Sequence, residues 1–512
     1  MDVIESASVR PLPPLAAAHD SPRAGTGSVM ELRWISFATH GGELAALRRR
    51  VFNAEQGIAV PLGHCAGDEE GLHLCAFMDG RMVAALSTFI HQPDDPRLRP
   101  WQLPQVDGLL TRYGRYIVEP EHRGQHLAEL LARVAEQQLY ETVRPGLYFA
   151  YLHPRHHALL PVYRRLYGFE EHARVLQGDE ETLVLARPPG EAARSYPHAR
   201  ARVRTLTQKF DVIVPSLFLH LKETGRCHLV ADVATGQSNH YTDPLSLEEE
   251  LPRLMAQNQL LFVDQRQRLS HVDLPAGPAR LLDIGTGPGT YLQLLRTHEC
   301  FNDYEVHGLE PSARLLQHAS AVAPELHWHR GDAYRTGLPA AHFDVVHASF
   351  VFIHLARVDE ALWEIERILK PGGVLCIVGP DEGSFRGPEP IAQMIREHDL
   401  VHEGDRRIAE ALPQRATQFG LRLERRFVAR LVNDGPEEGA EYSAGVAHVG
   451  RHAMWSFFGF YGQRKEIASS FSAARDHYFS TECEIEMPVQ TLVFRKPVVS
   501  PRCEVSSSAR SA

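Results

Sequence analysis

The chain has 512 residues, 44% hydrophobic and 23% charged, with 64 acids against 54 bases for a formal charge of −10. That length favours two or three domains, since single cores rarely grow past about 250–300 residues, and the composition is that of an ordinary globular protein. The acidic excess argues against a broad nucleic-acid-binding face, and no apolar run approaches the roughly 18 residues that span a bilayer.

In chain order, residues 1–30 read as a flexible arm: Pro, Ala and Ser are frequent, acids come early, and a signal peptide's apolar core is missing. Residues 31–189 alternate short strand-like runs with amphipathic helices. ELRWISF, LHLCAFMDG and RMVAALSTFI predict strands, with Asp79-Gly80 as a hairpin turn between the last two. GRYIVEP predicts a strand, HLAELLARVAEQQLYETV a helix, GLYFAYL a strand, ALLPVYRRLYGF a helix and ETLVLAR a closing strand. This α+β pattern ends at ARPPGEAARSYP, whose Pro, Gly and Ala content reads as a linker.

Residues 190–278 read as a linker and a helical cap for the next domain. LTQKFDVIVPSLFLHLKE is expected as a helix interrupted at Pro215, and LSLEEELPRLMAQNQLLF as another interrupted at Pro252. Residues 279–498 change to strand–helix alternation: RLLDIG, YLQLLRTH, EVHGLE, SARLLQHASAV, LHWHRGD, FDVVHASF, VDEALWEIERIL and GGVLCIVGP. Such alternation implies a parallel, doubly wound sheet, which two further helices, ERRFVARLV and PVQTLVFR would close. The aromatic segment 448–464 is expected as a core-facing helix or, alternatively, a wall of a substrate pocket. Residues 499–512 read as a flexible tail. The expected fold class is α/β: an α+β domain followed by a doubly wound one.

The seven cysteines, Cys65, Cys75, Cys227, Cys300, Cys376, Cys483 and Cys503, show no CxxC pairing, which implies reduced thiols and a cytoplasmic location. Histidine is abundant, yet there is no HExxH and no Cys/His set with zinc spacing. HPRHH at 153–157 reads as a helix start or loop, so no metal is expected.

LLDIGTGPGTY (281–291) carries an apolar run, an acid and three alternate glycines before a helix. Glycines there let the backbone turn sharply and let a ligand lie against it. Glu310 closes the next strand, where a carboxylate can accept both hydroxyls of a ribose, and Asp332 follows the third, within reach of an adenine amino group. NAD is the rival ligand, but its fingerprint is GxGxxG with the acid about 20 residues on. Here the glycines run GxGxG, Asp283 precedes them, and Glu310 lies 25 residues after Gly285.

This spacing resembles the class I S-adenosylmethionine-dependent methyltransferases, whose Rossmann-like core the stretch FDVVHASFVFIHLARVDEALWEIERILKPGG (343–373) also matches. The resemblance implies S-adenosylmethionine as cofactor, with Asp283 supporting the loop and the methionine amino group, and Gly285, Thr286, Gly287 and Gly289 passing beneath the cofactor. It implies Glu310 on the ribose, Asp332 and the backbone of Ala333 on the adenine, and Ser349 where the fourth strand opens onto the transferred methyl. His354 is a candidate general base, or alternatively a packing and capping residue.

In YIVEPEHRGQHLAELLARV (116–134), a strand, Pro120 and Arg123-Gly124 lead into a helix whose first N–H groups can face an anion. This resembles the pyrophosphate loop of the GNAT acyltransferase superfamily, R/Q-x-x-G-x-G/A, with His126 in place of the middle glycine. ALRRRVFNAEQGI (46–58) resembles the first helix of acyl-homoserine-lactone-synthase-like and N-acyl-amino-acid-synthase-like members, and HPRHHALLPVYRRLYGFE the late helix. The resemblance implies Val118, Arg123, Gly124, Gln125 and Ala128 as donor-binding residues and Tyr163 as acid for the departing thiolate, against a packed helix tyrosine.

The combined expectation is a bifunctional enzyme: a methyltransferase acting on a small molecule, fused to an N-acyltransferase-like domain, in specialised metabolite biosynthesis. The acyl donor would be acyl-CoA or an acyl carrier protein thioester, which makes an acyl carrier protein a candidate partner; no nucleic acid or membrane is involved. A rival expectation keeps only the methyltransferase catalytic, the GNAT-like half binding substrate or dimerising. A third has the cofactor sensed rather than consumed.

Overall fold

The computed structural model describes residues 29–55, 67–177, 179–187, 190–232, 247–437, 440–443 and 445–498. The expected tail and all but the last two residues of the expected arm lie outside these. Two compact units divide the chain, Arg23–Asp232 and, together with Met1–Pro22, Val233–Ala512.

The first unit contains β1 (Met30–Ile35), α1 (Phe37–Arg48), β2 (Leu72–Met78), β3 (Arg81–His91), β4 (Leu110–Val118), α2 (Leu127–Thr142), β5 (Leu147–Leu152), α3 (Leu160–Tyr167), β6 (Glu170–Gln177), β7 (Glu180–Ala186), α4 (Glu191–Phe210) and α5 (Leu217–Glu223). Its sheet runs β1-β2-β3-β4-β5-β7-β6. Strand alternation sorts the side chains: Leu72, Leu74 and Ala76 join the core beneath α2, while Cys75 and Phe77 pack with Leu44 and Leu47 of α1. Asp79 and Gly80 take the left-handed backbone that a two-residue hairpin requires. β4 pairs in parallel with β5 from Leu110 to Tyr113; two residues on, Arg115 has φ +52. Around this departure gather the rings of Tyr113, Tyr116, Tyr163, Tyr167 and Phe169.

The linker and helical cap expected over 190–278 divide differently. α4 buries Tyr196, Ala199, Val203 and Leu206, and Val203 and Leu206 share the α2 core with Leu217 and Leu221 of α5. The Tyr196 hydroxyl donates to Glu141 (2.9 Å) and Ser195 to Glu136 (2.9 Å). This packing carries the first unit past 189 to Asp232, because the amphipathic stripe of α4 fits α2. The break expected at Pro215 comes at Asp211, whose φ of +52 ends α4. The break expected at Pro252 does not occur: α6 (Leu247–Leu269) runs through it. Strand β6 went unread because its charged outer positions obscure the alternation.

His73 is fully buried, Nδ1 2.8 Å from Ser87 Oγ and Nε2 2.9 Å from the Asp68 carbonyl oxygen. Burial pushes its pKa down to about 4, and that of His220 in α5 likewise. Between pH 6.5 and 4 the unfolded chain therefore binds protons that the folded one refuses. The stability is present above pH 6.5 and is lost as pH falls towards 4. Denaturant melts are expected to show His73 alone removing on the order of 2 kcal/mol from the first unit between pH 7 and 5, and His73→Gln flattening that dependence.

The second unit continues with β8 (Ala279–Ile284), α7 (Thr290–Arg296), β9 (Tyr304–Glu310), α8 (Ala313–Val322), β10 (His327–Arg330), β11 (Phe343–Ser349), α9 (Val358–Ile368), β12 (Leu369–Pro380), α10 (Glu389–Val401), α11 (Ile408–Gln418), β13 (Arg422–Val432), β14 (Ala440–Ser443), β15 (Val446–Val449), α12 (Arg451–Ser456), α13 (Ala468–Ser480) and β16 (Glu486–Arg495). The sheet order is β10-β9-β8-β11-β12-β16-β13-β15-β14. β8 to β12 pair in parallel, and β16 runs antiparallel between β12 and β13. Strand order reverses between β8 and β11, so a crevice opens beyond their carboxyl ends, where ligands of such sheets bind. The aromatic segment 448–464 forms the end of β15, short α12 and a 3-10 turn over Gly459–Gln463 rather than one helix. Trp455, Phe458 and Tyr461 are buried.

Candidate active site

A cavity lies at this crevice. Asp283, Gly285, Thr286 and Gly287 line it from β8 and the following loop, Glu310 from β9, Ser349 from β11, and Phe350, Val351, Ile353 and His354 from the segment after β11. Arg253, Leu254, Gln257 and Asn258 of α6 form another wall, with Arg406, Phe457, Phe460 and Met487 completing it. α6 thus lies within the expected cap segment and contributes one side of the cavity.

The glycine loop is held by Glu310. Its Oε2 accepts from Gly287 N (2.9 Å) and its Oε1 from Ser312 N (2.9 Å). Gly285 has φ +66, and a Cβ there would come 2.6 Å from Val351 Cγ2, so both backbone and space require glycine. Gly287, φ +57, has open space around it. Gly289 is not among the lining residues, and a Cβ there would strike the Trp328 ring at 2.8 Å, so its lack of a side chain lets α7 pack onto β10.

Asp283 is buried, and its Oδ1 lies 2.8 Å from His347 Nδ1; the Tyr291 ring stacks on that imidazole at 5.2 Å. Asp332 Oδ1 accepts from Tyr334 N (2.9 Å) and Arg335 N (3.0 Å). Neither Asp332 nor Ala333 is among the lining residues. The imidazole of His354 lies edge-on to His402 (5.4 Å) and Phe460 (5.1 Å).

In the first unit, Arg123 Nε donates to the Val118 carbonyl (3.0 Å) and Gln125 Nε2 to that of Glu121 (3.2 Å). Gly124 has φ +74, and His126, which stands where the family pattern has glycine, keeps a glycine-like φ of +70. Its ring folds onto the first turn of α2, Nδ1 2.9 Å from Glu129 Oε2. Arg202 of α4 also binds Glu129, at 2.7 and 2.8 Å. Ala128 is half-buried in that turn. Tyr163 is half-buried as well and stacks on Phe169 (6.2 Å), and burial raises its phenol pKa.

Residues 282–377 match the family described as the methyltransferase domain, and residues 30–169 match the acetyltransferase (GNAT) family. The chain joins a GNAT domain to a methyltransferase domain. Trans-aconitate 2-methyltransferase of an Azoarcus species is 35% identical over 143 residues, 27% of this chain and 55% of that protein. Demethylmenaquinone methyltransferase of Thermus thermophilus is 33% identical over 148 residues, 27% of this chain and 66% of that protein. The chain thus spans little more than half of the first of these relatives. Among solved structures, geranyl diphosphate C-methyltransferase of Streptomyces coelicolor is similar at 13% identity and a TM-score of 0.29, over 46% of this chain and 79% of that one.

The methyltransferase cavity fits a nucleoside sulfonium cofactor on two observations. Thr286 Oγ1 and the Tyr291 hydroxyl, both on lining residues, are buried without a hydrogen-bond partner, and the open space over Gly287 leaves room for a ligand against the backbone. Several lining residues were missed in the sequence. Phe350 has φ +57, a strained conformation for an aromatic residue that tends to persist at functional sites. Asn258 donates to Thr290 Oγ1 (2.7 Å), joining α6 to α7. Arg406, which follows no motif, is buried, and its Nε donates to Glu382 Oε1 (2.7 Å).

Proposed function

We propose that the methyltransferase domain binds S-adenosylmethionine and methylates a small molecule in a specialised biosynthetic route, and that the GNAT domain receives an acyl thioester donor. The observation that carries the first part is Glu310, a carboxylate at the end of β9 that lines the cavity and fixes Gly287 there. Asp283, Thr286 and Glu310 would hold the cofactor, with Asp332 and Ala333 near its base. When bound, that group supplies an electrophilic methyl.

The chain's own part is then positioning and proton handling. Phe350, Phe457 and Phe460 give an apolar wall on which an acceptor can lie, with the Arg406–Glu382 ion pair at its edge. In-line placement supplies most of what such a transfer needs. For an oxygen or nitrogen acceptor, the departing proton would pass to the imidazole of His354. In the GNAT domain, the loop Arg123–Ala128 and the start of α2 would take the donor's phosphates, with Tyr163 protonating the thiolate that leaves. The scaffold alternative keeps one observation in its favour: Glu129 sets a carboxylate at that same helix start, although His126 and Arg202 engage it.

Incubating the full chain with methyl-labelled S-adenosylmethionine and cell extract, then following label by mass spectrometry, tests the methyl transfer. Label appearing in no small molecule would contradict it. Acetyl-CoA, longer acyl-CoAs and an acyl carrier protein thioester are to be titrated separately. Gly124→Val is expected to abolish donor binding, and Tyr163→Phe to slow acyl transfer about 10²–10⁴-fold. If no donor binds and neither variant alters turnover, the GNAT domain is a scaffold.

A further inference from the structure

On the methyltransferase sheet, away from the cavity, strands β9 and β10 lie side by side in parallel, with His307 opposite His327. Residues two apart on a strand point to the same face. Glu305 and His307 therefore share a face with His327 and His329, and β10 is the edge of the sheet. The result is three imidazoles and a carboxylate on one patch, assembled from segments 20 residues apart, which is why no spacing motif announced it.

The geometry within the patch is that of a ligand set. His307 Nε2 lies 3.2 Å and His327 Nε2 3.5 Å from the same oxygen, Glu305 Oε1, and one ligand atom from each of the three lies within 4.8 Å of the others. Zinc bonds of about 2.0–2.1 Å at tetrahedral angles put ligand atoms roughly 3.3 Å apart. The other nitrogen of His307 is already oriented: Nδ1 lies 2.9 Å from His329 Nε2. A metal-ligating histidine is normally held in tautomer and angle by a hydrogen bond from its other nitrogen to a carboxylate, a carbonyl or water; here the His329 imidazole takes that place. Arg280 engages the remaining carboxylate oxygen, Glu305 Oε2, at 2.8 Å, which turns Oε1 towards the imidazoles. His307 itself is buried, with Nε2 shielded from solvent, whereas His327 is about half exposed, so the patch has a fixed floor and an open side.

We propose that Glu305, His307 and His327 form a binding site for a divalent transition-metal ion, zinc by ligand type, with His329 positioning His307 and a fourth position open to water. Imidazole nitrogen with a single carboxylate suits zinc and its neighbours and not calcium or magnesium, which take oxygen ligands. The site is separate from the cavity, and it does not depend on the methyltransferase proposal.

The full chain, stripped with chelator, is to be titrated calorimetrically with zinc chloride and, separately, magnesium chloride. One tight zinc equivalent is expected, with no magnesium response. His327→Ala, at an exposed position, and Glu305→Gln should each weaken that equivalent at least 100-fold. His329→Gln should weaken it about 10–100-fold, the usual effect of losing such a supporting bond. His156→Ala, in the unrelated histidine run at 153–157, should leave it unchanged. Circular dichroism and a melting temperature unaltered in His327→Ala would show that the fold is retained. Zinc affinity unchanged in both His327→Ala and Glu305→Gln, or no zinc equivalent at all, would overturn the assignment.

Discussion

Glu310→Ala is expected to weaken S-adenosylmethionine binding roughly 10- to 100-fold without unfolding the chain. Two effects act together. The variant removes a carboxylate placed to accept from ribose hydroxyls, and a hydrogen bond to a charged group is worth about 1.5–3 kcal/mol. It also releases Gly287 N and Ser312 N, both bonded to that carboxylate, so the glycine loop loses the anchor that holds its left-handed turns. Glu310→Gln separates the two: an amide oxygen can still accept one backbone bond, so part of the loop's order should return while the charge-assisted contact does not. Calorimetry of both variants with S-adenosylhomocysteine, read against their melting temperatures, checks this.

Arg406→Met should be the most destabilising single change, by about 3–5 kcal/mol, because it leaves a buried carboxylate without its counterion. Arg406 and Glu382 are both buried, bonded at 2.7 Å, with the Tyr461 hydroxyl also on Glu382 Oε1. His398 stacks on the Tyr461 ring at 3.9 Å. Burial already raises the Glu382 pKa, with Arg406 opposing that rise. Without the guanidinium the carboxyl should be protonated at neutral pH in the folded state. A folded pKa above the unfolded one means that the folded state is favoured as pH falls through it. The deficit of Arg406→Met relative to wild type should therefore shrink between pH 7 and 5. Adding Glu382→Gln should recover much of it at pH 7, since no charge is then stranded. Denaturant melts of the three proteins, at both pH values, provide the comparison.

The centre of the methyltransferase sheet was legible because buried parallel strands such as β8 and β12 read as apolar runs, and because Asp283, Glu310 and the glycines sit at or just past strand ends. What closes the cavity was not legible. Arg406, Asn258 and Phe350 come from a buried ion pair, a helix face and a strained turn, none of which has a local signature. Gly289 shows what a motif leaves out: it stands in the glycine pattern, and its missing side chain also makes room for Trp328, which no local spacing announces. In the GNAT domain the core was read but its edge was not. α4 opens within ARPPGEAARSYP, whose Pro and polar residues resemble a linker, and α5 lies in a stretch expected as a cap for the next domain; only the fit of Val203, Leu206 and Leu217 to the α2 core assigns both to the first unit. His126 marks the opposite case, a departure visible in sequence whose consequence needed coordinates, since its backbone still adopts the turn a glycine would.

The central claim is that the cavity above Gly287 holds S-adenosylmethionine. Its most direct test is calorimetric titration of the full chain with S-adenosylmethionine, S-adenosylhomocysteine and NAD in parallel, repeated on Glu310→Ala. One site for each sulfur nucleoside, weakened at least tenfold in the variant, with no heat from NAD, is the expected result. Saturable NAD binding with no response to either sulfur nucleoside would contradict the account.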